Sequence, residues 1–173
     1  MHKTALTFAV CFMAGCAKAA AQTSPPPPPP PPPALEFVFE ARVLLGRPVK
    51  VGETAIGGRN IISILGGRLE GPSLRGEILP GGWDWQLERK DGCIGIKADY
   101  MLKTDDGVVI NIVDTGVNCT LVPEHAQPPR TTPVFEVPRG KYDWLARSAF
   151  IGAAQPFSGP DGSGLTIRVF KVK

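Results

Sequence analysis

Turn punctuation governs this chain. From Leu35 onward, turn signals recur at about the 8–12-residue spacing of all-β folds: Gly71-Pro72, Pro80-Gly81, Asp91-Gly92 and Asp105-Asp106-Gly107. No stretch in this part of the chain sustains helical periodicity over three turns, whereas period-two alternation recurs. Candidate strands run over 36–45, 60–69, 74–79, 83–89, 93–104, 108–117, 133–137, 147–154 and 165–172. The expected fold class is all-β, an antiparallel sandwich or barrel.

The turns also predict a register, which side-chain character can test. Asp91-Gly92, read as a two-residue type I′ turn, sets Trp83 opposite Tyr100, Trp85 opposite Ala98 and Leu87 opposite Ile96. Asp105-Asp106-Gly107, read as a three-residue loop with a left-handed glycine, sets Tyr100 opposite Ile112, Leu102 opposite Ile110 and Cys93 opposite Cys119. Extending the sheet backward lays Ile78 beside Trp83 and Gly76 beside Trp85. One apolar face results, with Arg89 and Asp114 at its ends. The other face carries Arg68, Arg75, Gln86 and Lys97 in one row and Glu77, Asp84 and Asp99 in the next, an exposed charge ladder. Cys93 and Cys119, opposed across a hairpin in an oxidising compartment, are expected to form a structural disulfide. They lack the Cys-x-x-Cys spacing of a redox pair.

Two segments precede the strands. Met1-His2-Lys3 followed by an apolar Thr4–Gly15, too short to span a bilayer, reads as an export signal over 1–21. Met13-Ala14-Gly15-Cys16 resembles a lipobox, with cleavage at 15/16 and lipidation of Cys16. Ala19-Ala20-Ala21 fits ordinary cleavage at 21/22. Residues 22–34 are a linker whose prolines, Pro25 to Pro33, predict a polyproline II spacer of about 28 Å. The domain itself is 35–173. This architecture predicts an exported protein, periplasmic or anchored to the outer membrane as a lipoprotein, touching a membrane only through that lipid.

The formal charge is +3, and part of it leaves with the signal, so a nearly neutral domain argues against nucleic-acid partners. His125 is the one histidine beyond the signal, which excludes a multi-histidine metal site within the chain. No phosphate loop and no Gly-x-Ser-x-Gly nucleophile elbow is present. The expectation is no metal and no cofactor.

Several blocks carry a family resemblance. They are Gly66-Gly67-Arg68-Leu69-Glu70-Gly71-Pro72, Leu74-Arg75-Gly76, Pro80-Gly81-Gly82-Trp83-Asp84-Trp85-Gln86, Thr104-Asp105-Asp106-Gly107, Arg130-Thr131-Thr132-Pro133 and Tyr142-Asp143-Trp144-Leu145. Over roughly residues 35–172 the chain resembles the DUF3237 (UPF0311) family. The resemblance implies a single antiparallel up-and-down β-barrel of the calycin type, like lipocalins or streptavidin, and little about chemistry. Ala146 and Phe170 stand where the family pattern has Asn and Tyr.

Candidate site residues follow from the predicted faces. Trp83, Trp85, Tyr100, Asp114 and Trp144 are expected to line an interior that holds a small, apolar or aromatic ligand. Asp84 opposite Asp99 offers a carboxylate pair whose pKa values diverge if that face is covered. Asp84 or Glu136 is then the acid/base, and Arg130 steadies developing negative charge. Three functions compete: a small-molecule-binding barrel, an enzyme of proton transfer (cyclisation, isomerisation or dehydration) in the same barrel, and a displayed interaction module. A homo-oligomer is compatible with each.

Overall fold

A computed structural model describes residues 27–173, Asp161 excepted. The export signal, both cleavage sites and Cys16 lie outside the described residues. Over the described residues the alternation resolves into ten antiparallel strands. They are β1 (Leu35–Leu45), β2 (Val49–Thr54), β3 (Gly57–Glu70), β4 (Gly76–Ile78) and β5 (Gly82–Glu88), then β6 (Ile94–Thr104), β7 (Val109–Asn118), β8 (Arg130–Glu136), β9 (Phe150–Gly159) and β10 (Gly162–Val172). They make an eight-stranded closed barrel, because two positions are each filled by two strands in line. β1 and β2 lie end to end along β3, and β4 and β5 lie end to end between β3 and β6. β1 pairs with β10 as well as β3, which closes the ring. A closed ring leaves few open edges.

Two details of the expected sheet are corrected. β4 and β5 do not form a hairpin. The backbone keeps bonding across the break at Leu79-Pro80-Gly81: the Leu79 N–H donates to the Met101 carbonyl at 2.8 Å, and the Gly81 N–H to the Ile64 carbonyl at 3.1 Å. Pro80 has no donor for a ladder, so it sits where the ladder is interrupted.

The second correction is the turn between β5 and β6. The Arg89 N–H donates to the Cys93 carbonyl at 2.9 Å and the Gly92 N–H to the Arg89 carbonyl at 3.1 Å. The loop therefore has three residues, Lys90-Asp91-Gly92, with Gly92 left-handed at φ 80°. This is the same design as the Asp105-Asp106-Gly107 loop. Asp91 fixes it, bonding the Arg89 guanidinium at 2.6 Å and accepting the Cys93 N–H at 3.1 Å. One extra residue in the loop turns every β5 side chain over. Trp83 now pairs with Asp99 and Asp84 with Ala98. Trp83 and Trp85 face outward, 44% and 43% exposed, while Asp84 is buried inside.

The β6–β7 hairpin has the expected register, with Tyr100 opposite Ile112 and Leu102 opposite Ile110. Cys93 and Cys119 are joined, their Cα atoms 4.4 Å apart. One end of the barrel is filled by Phe39, Ile64, Leu69, Leu102, Ile110 and Ile112. Beneath them Phe135 packs edge-on against Phe150, ring centroids 4.9 Å apart. The segment 137–149 forms the floor with Tyr142 and Leu145 buried. Tyr142 latches it by donating to Asp106 at 2.9 Å, beside Lys141 at 2.8 Å. Those donors, with Thr104, hold the Asp106 carboxyl well below the usual carboxylate range.

Candidate functional site

The upper half of the barrel is built differently. Its inward positions on β5, β6 and β7 alternate as Asp84 and Gln86, Ile96 and Ala98, and Asp114 and Gly116. Ala98 pairs with Asp84 on one side and Asp114 on the other. Two carboxylates thus flank one methyl group on the same level of the interior. Both are buried, 4% and 3% exposed. Around them Asn60, Gln86, Ile96, Ala98 and Gly116 are only half-buried although they point inward, so solvent enters from this end. We call it the mouth.

Each acid is held by one oxygen. Gln86 Nε2 donates to Asp84 Oδ2 at 2.8 Å, and the Lys97 backbone N–H supports the same carboxylate. Thr131 Oγ1 donates to Asp114 Oδ2 at 2.9 Å. The Asp84 and Asp114 Oδ1 atoms are buried without a partner among the described residues. Buried polar atoms are rarely left so, and these two oxygens stand at one level of the interior as unpaired acceptors. Thr131 is fixed by its neighbours: it pairs with Gly116 and Gly152 across the sheet. A methyl group at Gly152 would collide with Thr131 Oγ1, and one at Gly116 with the Arg130 backbone.

Electrostatics separates the acids from ordinary carboxylates. Burial pushes Asp114 up to about 7; the Thr131 hydrogen bond opposes that rise and the neighbouring Asp84 charge adds to it. Burial also raises Asp84, against the Gln86 and Lys97 donors. Tyr100, buried one inward step below Ala98, is raised far above the phenol range by burial and by Asp114. It stays a neutral hydroxyl. Taking two like charges out of water favours keeping a proton on the pair.

The predicted site residues separate on this frame. Asp84, Asp114 and Tyr100 share the interior. Asp84 lies beside Asp114, not Asp99, because Asp99 points outward with Trp83. Trp83 and Trp85 do not line the interior, and Trp144 packs on Phe150 in the floor. Glu136 is exposed on the outer face of β8. Arg130 sits on the rim, donating to the Pro128 and Pro129 carbonyls at 3.1 and 3.3 Å. There it borders a recess of about 600 Å³ between Ile96, Gly116, Cys119 and Gln127. The predicted charged rows dissolve, since Asp84 and Gln86 point inward while Lys97 and Asp99 remain outside. Sequence reasoning did not single out Gln86 as the partner of Asp84 or Thr131 as that of Asp114. The Asp-x-Gln spacing on one strand was the available signal for the first.

Comparison with known proteins agrees with this architecture. A family model described as a protein of unknown function, DUF3237, matches residues 33–172. A UPF0311 protein of Rhodopseudomonas palustris is 35% identical over 131 residues, 69% of this chain and 86% of that protein. A β-barrel-like protein of Acinetobacter baumannii has a similar solved structure, with TM-score 0.73 and 32% identity, covering 84% of this chain and 99% of that one. A Penicillium herquei protein named a hydroalkoxylation enzyme is 30% identical over 111 residues, 64% of this chain and 67% of that protein.

Proposed function

The chain belongs to the DUF3237 (UPF0311) family, and from that premise we propose that it is an acid–base enzyme acting without a cofactor on a small, neutral, hydroxyl-bearing molecule in the open half of its barrel. The observation that carries this reading is the pair of buried carboxylates flanking Ala98, each with a free oxygen. A pair that keeps one proton can accept and donate in the same turnover. Among the described residues the inward polar groups around this level are Asn60, Asp84, Gln86, Asp114 and Thr131. None is cationic, so an anionic substrate would find no counter-charge there.

Addition of a hydroxyl across a carbon–carbon double bond, the reaction in the name of the Penicillium relative, suits such a pair. Asp84 as carboxylate takes the hydroxyl proton while the oxygen bonds to one alkene carbon. Asp114 as carboxylic acid gives its proton to the other carbon. One π bond and one O–H bond are replaced by a C–O and a C–H bond. The pair resets when the proton passes from Asp84 to Asp114.

Incubating the protein with 2-allylphenol and related alkenyl phenols in D₂O tests this. The expected product is a cyclic ether carrying one deuterium at the protonated carbon, seen by NMR and mass spectrometry. Asp84→Asn and Asp114→Asn should each slow it at least about 100-fold, the usual worth of a positioned acid or base. Turnover undiminished in Asp114→Asn would overturn the assignment. Alkenyl phenols that raise the melting temperature without reacting would support the simpler reading, a binding barrel. We also infer export, from residues 1–21 alone; fractionation of the source cells with detection in the cytoplasm would refute it.

A further inference from the structure

The turn that sends Asp84 inward leaves an apolar face on the barrel wall. By register, Trp83 lies between Ser63 and Asp99, and Trp85 lies beside Ile61. The row through Asp99 continues to Val113 and then Val134. Leu65 and Met101 extend the same face toward the floor. Leu65, Met101 and Val134 are 56%, 50% and 67% exposed. With the two tryptophans they leave on the order of 500 Å² of apolar surface uncovered, the upper end for a monomer and most of the roughly 800 Å² per partner of a standard interface. A groove of about 390 Å³ runs between Pro80, Trp83, Trp85, Met101 and Asn111.

In the middle of this face stand Lys97 and Asp99, two residues apart on β6 and both pointing outward. Among the described residues neither takes part in an ion pair. Their order is self-complementary. A two-fold axis lying in the contact plane and crossing β6 between them reverses the strand, which sets each Lys over the other copy's Asp.

We propose that this face is the contact of a two-fold homodimer, with Lys97 of each copy paired to Asp99 of the other and the Trp83 and Trp85 side chains covered between them. Buried aromatics are the composition of an interface core, and a matched charge pair would fix the register of the two copies. The aliphatic flank of Leu65, Val113 and Val134 fits another protein surface better than a sugar or a small aromatic, which the tryptophans alone would serve. The proposal stands apart from the interior chemistry, since neither Asp84 nor Asp114 touches this surface.

Sedimentation velocity on the full-length chain, from about 1 to 100 μM, decides it across the range where such interfaces dissociate. The wild type should reach a dimer. Lys97→Asp alone and Asp99→Lys alone each set like charges against each other and should raise the dissociation constant at least about tenfold. The double variant, carrying Lys97→Asp and Asp99→Lys, should recover the wild-type value. Trp85→Ser should weaken the dimer further, with circular dichroism confirming that each variant is folded. A monomer across the whole range would overturn the proposal. So would a dimer indifferent to the single reversals, or a double variant that fails to recover.

Discussion

Asp114 keeps its proton to about pH 7 in the folded protein, whereas an aspartate in the unfolded chain loses it near pH 3.9 or about there. Below that pH both states are protonated, and the stability that comes from burying a neutral group is fully present. Between the two values only the folded state holds the proton, so stability falls as pH rises, and above about 7 the loss is complete. Asp84 shifts in the same direction. Asp114→Asn removes the larger of these dependences. Relative to wild type, the variant should gain about 2–4 kcal/mol between pH 4 and pH 8, read from urea melts across that range. A constant difference would place the shift elsewhere. On the proposed mechanism, turnover should fall over the same window as Asp114 loses its proton. Both acids are nominated by the sequence, but on opposite faces. Their partnership depends on a turn length that neither residue reports.

At the level of elements, one loop decides the site. Asp-Gly ends both a two-residue type I′ turn and a three-residue loop with a left-handed glycine, so the dipeptide cannot choose between them. The choice comes from Asp91, which binds Arg89 and the Cys93 N–H at once. Those contacts exist only after the chain has turned. Deleting Glu88 from within β5, with the three-residue loop kept, would shift every earlier β5 residue by one, drive Trp83 and Trp85 inward and push Asp84 into solvent. We expect a loss of more than about 4 kcal/mol, or no folded state, because charge burial and core packing fail together; near-UV circular dichroism would report it. Pro80-Gly81 was opaque for a related reason: it marks an interruption equally whether the chain reverses or continues in line. The β6–β7 hairpin was legible because its glycine, its apolar pairs and its cysteines agree on one register. Replacing Cys93 and Cys119 with serine should cost about 2–4 kcal/mol, seen as a lower urea midpoint, while leaving that register intact.

Across the whole molecule, the packed core and the candidate site occupy opposite halves. Leu102 and Ile110 are fully enclosed near the floor, whereas Ile96 faces the interior yet meets solvent at the mouth. Leu102→Ala should therefore cost about 3–4 kcal/mol through the cavity it leaves, and Ile96→Ala under about 1.5 kcal/mol, both measured by chemical denaturation. Alternation along the chain could announce an all-β fold, but not the ring. Closure rests on β1 meeting β10 across nearly the full length of the domain, a pairing with no local signature; only the motif resemblance pointed to it. That pairing ends where the Ala34 and Lys173 backbones exchange hydrogen bonds at 3.1 and 2.8 Å, so the barrel's first and last residues leave side by side from the floor. A fusion or surface attachment made at Lys173 would hold the protein upright, its acidic opening turned to the bulk phase. Small molecules could then diffuse in from the side away from the support.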